Sequence, residues 1–245
     1  TANKTYYANA VDKTKPTVSL SPSSQSTYVA GGKAVTVTVA DSGSGIKASQ
    51  KVYYAWSTSS STAPTFSSYV TTTATAGSKS AAVTVPTTAS SGLTGTYYLW
   101  IKSGVSDVTG NTSAQKVSSA FKFDNKVPTL SVATSKTTKS ITVVATASAT
   151  SGITKYEYSK DGGSTWVTGT SNTYTFSGLT QNKAYSIRVR VTSTVGKTTT
   201  SATTSVTTNK IATPTYSSSS EGVVTITYPS GCGSTYTCTY IKDGG

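Results

Sequence analysis

Asp12, Asp41 and Asp107 are three of only eight acidic residues in a chain that carries 21 Lys and Arg. Three carboxylates joined by loop carbonyls make the hard oxygen shell that suits Ca²⁺. Capping the backbone of turns is the other use of Asp at such positions, and the sequence leaves both open. The chain has no His. Imidazole-bound zinc and Ser–His or Cys–His nucleophilic pairs are therefore excluded.

Other reactive residue types point to structure. Glu157 and Asp161 flank one strand end and read as a solvated strand residue and a turn residue. Cys232 and Cys238, the only cysteines, lie six apart and suit a local disulfide in an oxidising, extracellular setting. Asn3-Lys4-Thr5 and Asn111-Thr112-Ser113 match glycosylation sequons, as chance allows in a chain so rich in Thr.

What must position these residues is a repeat. Asp12-Lys13-Thr14-Lys15-Pro16-Thr17-Val18 returns as Asp124-Asn125-Lys126-Val127-Pro128-Thr129-Leu130, and more faintly as Lys210-Ile211-Ala212-Thr213-Pro214-Thr215-Tyr216. Tyr156–Gly163 likewise returns as Cys238–Gly245. A tandem array of small β units follows. Period-two alternation marks half-buried strands at Val35, Val37 and Val39, at Ile141, Val143 and Ala145, and at Tyr185, Ile187, Val189 and Val191. Ser and Thr make up about 38% of the residues, and β-branched Thr suits a pleated surface. Leu occurs five times and Met never, which leaves little for amphipathic helices.

About seven strands fall between Pro16 and Asp124, near 16–20, 33–40, 51–57, 65–70, 80–86, 96–102 and 117–123. About seven more lie near 128–133, 140–146, 153–159, 165–168, 172–176, 183–192 and 197–207. Short strands at such spacing predict sandwiches. The expected division is the last strand of a preceding repeat over 1–11, one sandwich over 12–125, a second over 126–209 and the first strands of a third over 210–245. Trp56 and Trp100 are the expected core pair of the first sandwich, and Trp166 with Tyr185 of the second. In a seven-strand sandwich the start of the first strand, the second-to-third strand loop and the sixth-to-seventh strand loop share one pole. Asp12, Asp41 and Asp107 sit at those three places, while Asp124 is their sole acidic counterpart in the second unit.

Net charge is +13, yet only Arg188 and Arg190 are Arg and the Lys are scattered singly. Nucleic-acid recognition favours clustered Arg or Lys beside stacking aromatics, so no specific nucleic-acid partner is expected. No apolar run approaches the roughly 18 residues that span a bilayer.

Gly178-Leu179-Thr180-Gln181-Asn182-Lys183-Ala184-Tyr185-Ser186-Ile187-Arg188-Val189 resembles the fibronectin type III pattern, a Leu six residues before a Tyr that opens an alternating strand. The resemblance implies that the Tyr185 hydroxyl ties the preceding corner to the backbone. Asp41-Ser42-Gly43-Ser44-Gly45-Ile46 and Asp107-Val108-Thr109-Gly110-Asn111 resemble loops of bacterial immunoglobulin-like repeats. The fold class implied is all-β, with tandem immunoglobulin-like, Greek-key β-sandwich domains in an elongated array. Ser159-Lys160-Asp161-Gly162-Gly163-Ser164-Thr165-Trp166 matches the Asp box of sialidase propellers, but Asp-Gly-Gly reads as a hairpin device and the Arg cluster of a sialidase is missing.

The function expected is non-enzymatic: an extracellular, cell-surface or secreted spacer that supports adhesion, bordered by further repeats of the same protein. The other reading is a module binding a cell-surface glycan, an acidic polymer or a protein receptor through Tyr6, Tyr7, Tyr53 or Tyr69 with Lys. The cofactor expectation is none, or Ca²⁺ at the three Asp.

Overall fold

A computed structural model describes residues 10–218 and 224–227. Residues 1–9 of the strand expected over 1–11, with Tyr6, Tyr7 and the sequon at Asn3, and the Cys232–Cys238 disulfide lie outside the described residues; Ala10 and Val11 are not in a strand. Strands supply the regular structure, with one 3-10 turn at Thr87–Ala89 and no α-helix among the described residues.

In chain order the first nine strands are β1 (Thr17–Ser21), β2 (Gln25–Val29), β3 (Val35–Ala40), β4 (Lys51–Ser57), β5 (Ser68–Thr71), β6 (Ser80–Val85), β7 (Thr94–Ile101), β8 (Lys116–Val117) and β9 (Phe121–Asp124). They form a three-stranded sheet, β1-β3-β6, and a second sheet of order β2-β9-β7-β4-β5 with β8 also on β7. Alternation explains which faces meet. Val35, Val37 and Val39 are fully buried from β3, and opposite them lie Val52 and Tyr54 of β4, Leu99 and Ile101 of β7, and Phe121 and Phe123 of β9. Trp56 packs edge-on against Phe121 and Phe123, with centroids 5.1 and 5.4 Å apart.

The pairing of Trp56 with Trp100 does not occur. Trp56 is the cross-strand partner of Leu99, and Trp100 that of Ala55. Successive residues of a strand point to opposite faces, so Trp100 stands on the outer face of its sheet. It is still buried, and its Nε1–H donates to the Ser59 carbonyl at 2.8 Å. β2 was not among the expected strands. Its burial does not alternate, because the chain crosses there from one sheet to the other and pairs with β9 in parallel.

The next eight strands are β10 (Thr129–Lys136), β11 (Ile141–Ser148), β12 (Ile153–Ser159), β13 (Val167–Gly169), β14 (Thr173–Phe176), β15 (Ala184–Ser193), β16 (Thr198–Thr200) and β17 (Thr204–Thr207). They make the sheets β10-β11-β14 and β13-β12-β15-β16, with β17 also on β15. Two facing sheets, of three and five strands, make an immunoglobulin-like β-sandwich arrangement in which β16 and β17 both pair with β15. Ile141, Val143, Tyr158, Ile187, Val189 and Val191 are its most enclosed apolar residues. Trp166 is only half-buried and lies outside that core, under the Arg190 guanidinium at 4.6 Å. The Tyr185 hydroxyl accepts from the Thr180 N–H at 3.0 Å, which fixes the corner as the resemblance implied. A last pair, β18 (Thr215–Ser218) and β19 (Val224–Thr227), is antiparallel.

By packing, the chain divides into two compact units. One runs through Thr129 and includes Ser148–Thr154 and Thr192–Thr199. The other comprises Leu130–Ala147, Lys155–Val191 and the chain from Thr200 onward.

Candidate metal centre

Three loops of the first unit bring Asp12, Asp41 and Asp107 together. One carboxylate oxygen of each lies within 4.8 Å of those of the other two. Asp12 precedes β1, Asp41 follows β3, and Asp107 lies in the loop after β7. The loops are held in register by main-chain bonds: Ile46 N–H to the Ser78 carbonyl at 2.8 Å, Lys47 N–H to Ser106 at 3.0 Å and Val108 N–H to Gly45 at 2.9 Å.

Local donors fix each carboxylate. Asp12 accepts from Thr14 N–H at 2.8 Å and Ser44 N–H at 2.6 Å, and these bonds hold its pKa well below the usual carboxylate value. A side chain on Gly43 would collide with the Asp12 carboxylate, so glycine permits the approach. Asp107 has no exposed surface. Burial works against its charge, yet the Asn111 side-chain and backbone donors, at 2.7 and 2.8 Å, outweigh that and lower its pKa. Asp41 is 2% exposed; Gly45 N–H holds its Oδ1 at 2.8 Å, and its Oδ2 has no hydrogen-bond partner among the described residues.

The ion pairs among the described residues are Lys155–Glu157 and Arg190–Glu157, so no described Lys or Arg nitrogen comes within 4.0 Å of these three carboxylates. Lys79 reaches the site's edge, where its ammonium donates to the Gly43 carbonyl. Residues that sequence reasoning passed over complete the site. Asn111 ties the Asp12 carbonyl to Asp107 Oδ2, and Thr109 touches the same two groups. The donors to the three carboxylates are neutral amides and hydroxyls.

A second copy of these loops exists with one acid, Asp124, in place of three. Ala40-Asp41-Ser42-Gly43-Ser44-Gly45-Ile46 corresponds to Ala147-Ser148-Ala149-Thr150-Ser151-Gly152-Ile153. Gly45 and Gly152 share left-handed φ values of 81° and 89°, as do Gly110 and Gly196 at 94° and 82°. Asp124 accepts from Ser151 N–H at 2.9 Å as Asp12 does from Ser44. Thr194 N–H reaches the Gly152 carbonyl at 3.0 Å as Val108 reaches Gly45. Ser193 stands in the place of Asp107: its hydroxyl accepts from Lys197 N–H at 3.1 Å, as Asp107 Oδ1 does from Asn111 N–H. Ser193 thus takes the capping role of Asp107, while Ser148, in the sequence position of Asp41, is exposed, and Gly152 N–H goes to the Ala149 carbonyl at 3.0 Å. The conserved Ser-Gly-Ile tripeptide is the signal that could have found them.

Glu157 and Asp161 are not a reactive pair. Glu157 is buried and ion-paired, which corrects its reading as a solvated residue. Asp161 closes the hairpin, accepting from Ser159 Oγ at 2.7 Å and Thr165 N–H at 2.9 Å.

No protein-family model matches the chain, and no curated protein does. Among solved structures, titin domains A168–A170 are 14% identical over 80% of this chain and 67% of that one, with a TM-score of 0.39. The Clostridium thermocellum CbhA fibronectin(III)-like modules are 15% identical over 78% and 94%, with a TM-score of 0.31. Chitinase ChiA74 from Bacillus thuringiensis is 24% identical over 38% of this chain and 15% of its own, at a TM-score of 0.28. The fold rests on the strand order above, independently of these likenesses. No helix among the described residues is long and apolar enough to cross a membrane.

Proposed function

We propose that this chain is a non-enzymatic run of spacer modules, about 12–125 and 126–209, from an extracellular bacterial surface or secreted protein, and that it supports adhesion by holding other parts at a distance. The observation that carries this reading is that each pair of sheets closes on its own core of Val, Ile and aromatic residues. Side chains with reactive capacity are tied into structure: Ser159 and Asp161 into a turn, Glu157 into an ion pair. Fold alone does not assign function, so the test is one of length against surface. In the parent protein, replacing residues 12–209 by two unrelated sandwiches of equal length leaves attachment intact, while deleting them reduces it. Equal loss from replacement and deletion overturns the reading.

One observation favours binding instead. Tyr69 is 47% exposed, and its ring lies 5.3 Å from that of its cross-strand partner Tyr53. Lys51 covers the Tyr69 ring at 4.4 Å and Lys102 the Tyr53 ring at 5.5 Å. Aromatic faces flanked by ammonium groups suit an acidic glycan. Retardation of the chain in gels containing an acidic polysaccharide, abolished by Y53A/Y69A, supports this second reading; unchanged mobility of the wild type excludes it.

A further inference from the structure

We propose that Asp12, Asp41 and Asp107 bind one Ca²⁺ and thereby lock the three loops at that end of the first repeat. The strongest reason is the second copy of the same loops. There Thr194 N–H to Gly152, Ser193 N–H to Lys197 and Gly196 N–H to Ser193 repeat bonds of the first copy. Ser193 stands where the first copy has Asp107, and Ser148 holds the sequence position of Asp41, with Gly152 N–H bonded to the Ala149 carbonyl. The Ser193 hydroxyl caps one of these turns and the Ala149 carbonyl closes the other, so neither turn needs a carboxylate. The additional carboxylates of the first copy are surplus to the turn, and burying negative charge without a partner is unfavourable.

Among the described residues the charge has no cationic partner. With 21 basic residues in the chain, none forms an ion pair with these three acids among the described residues. Asp41 carries the second argument: it is 2% exposed, it faces the other two carboxylates, and its Oδ2 is left without a hydrogen bond. A bound cation is the species that would satisfy all three together.

The donor set selects the ion. Every ligand is oxygen, with no His or Cys at the site, which disfavours zinc and copper. Ligands on opposite sides of Ca²⁺ lie about 4.6–5.2 Å apart, given its bond lengths, so oxygens within 4.8 Å of one another fit one ion. Loops that bring donors from three separate segments suit the irregular shell of Ca²⁺ better than the strict octahedron of Mg²⁺.

The test uses the full chain after EDTA treatment and dialysis. Calorimetric titration with CaCl₂ gives one binding event per chain, and saturating Ca²⁺ raises the melting temperature by on the order of 5 °C over NaCl of equal ionic strength. MgCl₂ gives a smaller rise. The variant D41S/D107S, which copies the hydroxyls of the second repeat, melts in EDTA no lower than wild type and shows no response to Ca²⁺. Absence of binding heat in the wild type overturns the proposal, as does a Ca²⁺ response kept by D41S/D107S. Should that variant lose its β-sheet circular dichroism, D12N serves instead: it keeps the side-chain shape and one of the two oxygen acceptors that Thr14 and Ser44 use, and its Ca²⁺ affinity falls at least tenfold. Unchanged affinity in D12N overturns the proposal equally.

Discussion

Arg190 grips Glu157 through two N–H···O bonds, Nε to Oε2 at 2.8 Å and Nη2 to Oε1 at 3.0 Å, while its guanidinium plane covers Trp166. The two residues sit on β15 and β12, and Lys155 approaches the same carboxylate from two positions away at 2.8 Å. A fork that matches a carboxylate and stacks on an indole is a task for Arg that Lys cannot reproduce.

The first prediction follows from that grip. Arg190 hydrogen bonding is the main cause that holds the Glu157 pKa at about 2, against an ordinary 4.5. A depressed carboxylate stabilises the fold fully above its unfolded value and loses that contribution as pH falls through the folded one. Arg190→Lys should cost about 1–3 kcal/mol near neutral pH. Urea melts of wild type and variant should converge as pH falls from about 4.5 toward about 2. A gap that stays constant across that window would show that the stacking on Trp166, and not the ion pair, carries the effect.

Neighbouring residues of β7 should respond in different ways. Leu99 is fully buried in the core, whereas Trp100 is buried on the opposite face. Leu99→Ala should cost about 2–5 kcal/mol, the range for a core cavity. Trp100→Phe should cost about 1 kcal/mol, chiefly the bond to the Ser59 carbonyl. Equilibrium denaturation monitored by circular dichroism compares them directly.

The hairpin after β12 depends on an enclosed hydroxyl. Ser159 is 1% exposed, and its Oγ accepts from the Gly163 N–H at 2.8 Å while donating to Asp161. Gly162 and Gly163 hold φ of 75° and 99°, so the turn has no other side-chain support at those two positions. Ser159→Ala should lose about 1–2 kcal/mol, while the exposed Ser164→Ala stays within about 0.5. Hydrogen exchange at Gly163 and Thr165 should quicken in the first variant alone.

Tyr185→Phe removes the acceptor that the Thr180 N–H uses. The corner between Leu179 and β15 should then open locally, seen as faster exchange at Thr180 while amides of Ile187 and Val189 stay protected. Equal loss of protection at all three would place the hydroxyl in the global fold and not in the corner.

How far the sequence reveals all this varies by residue. Val35, Val37 and Val39 announce their strand because Thr36 and Thr38 stand between them and only one face is buried. Tyr185 is legible through its distance from Leu179. Trp100 is not, since its face depends on which residue of β4 lies opposite, and that register is set by pairing across more than forty positions. β2 escapes because a strand that changes sheets loses its alternation. Asp12, Asp41 and Asp107 can be brought together from topology alone. The counterpart of Asp107, Ser193, stays hidden, since a hydroxyl in a chain with this much Ser carries no signal until its hydrogen bonds are seen.

β2 and β9 run side by side in the same direction, near opposite ends of the first repeat. Tension on the two ends pulls these strands past each other lengthwise, so once β1 has peeled away the rungs between them must fail together and not one after another. The least conspicuous strand of that repeat is thus where a pulled chain would resist rupture.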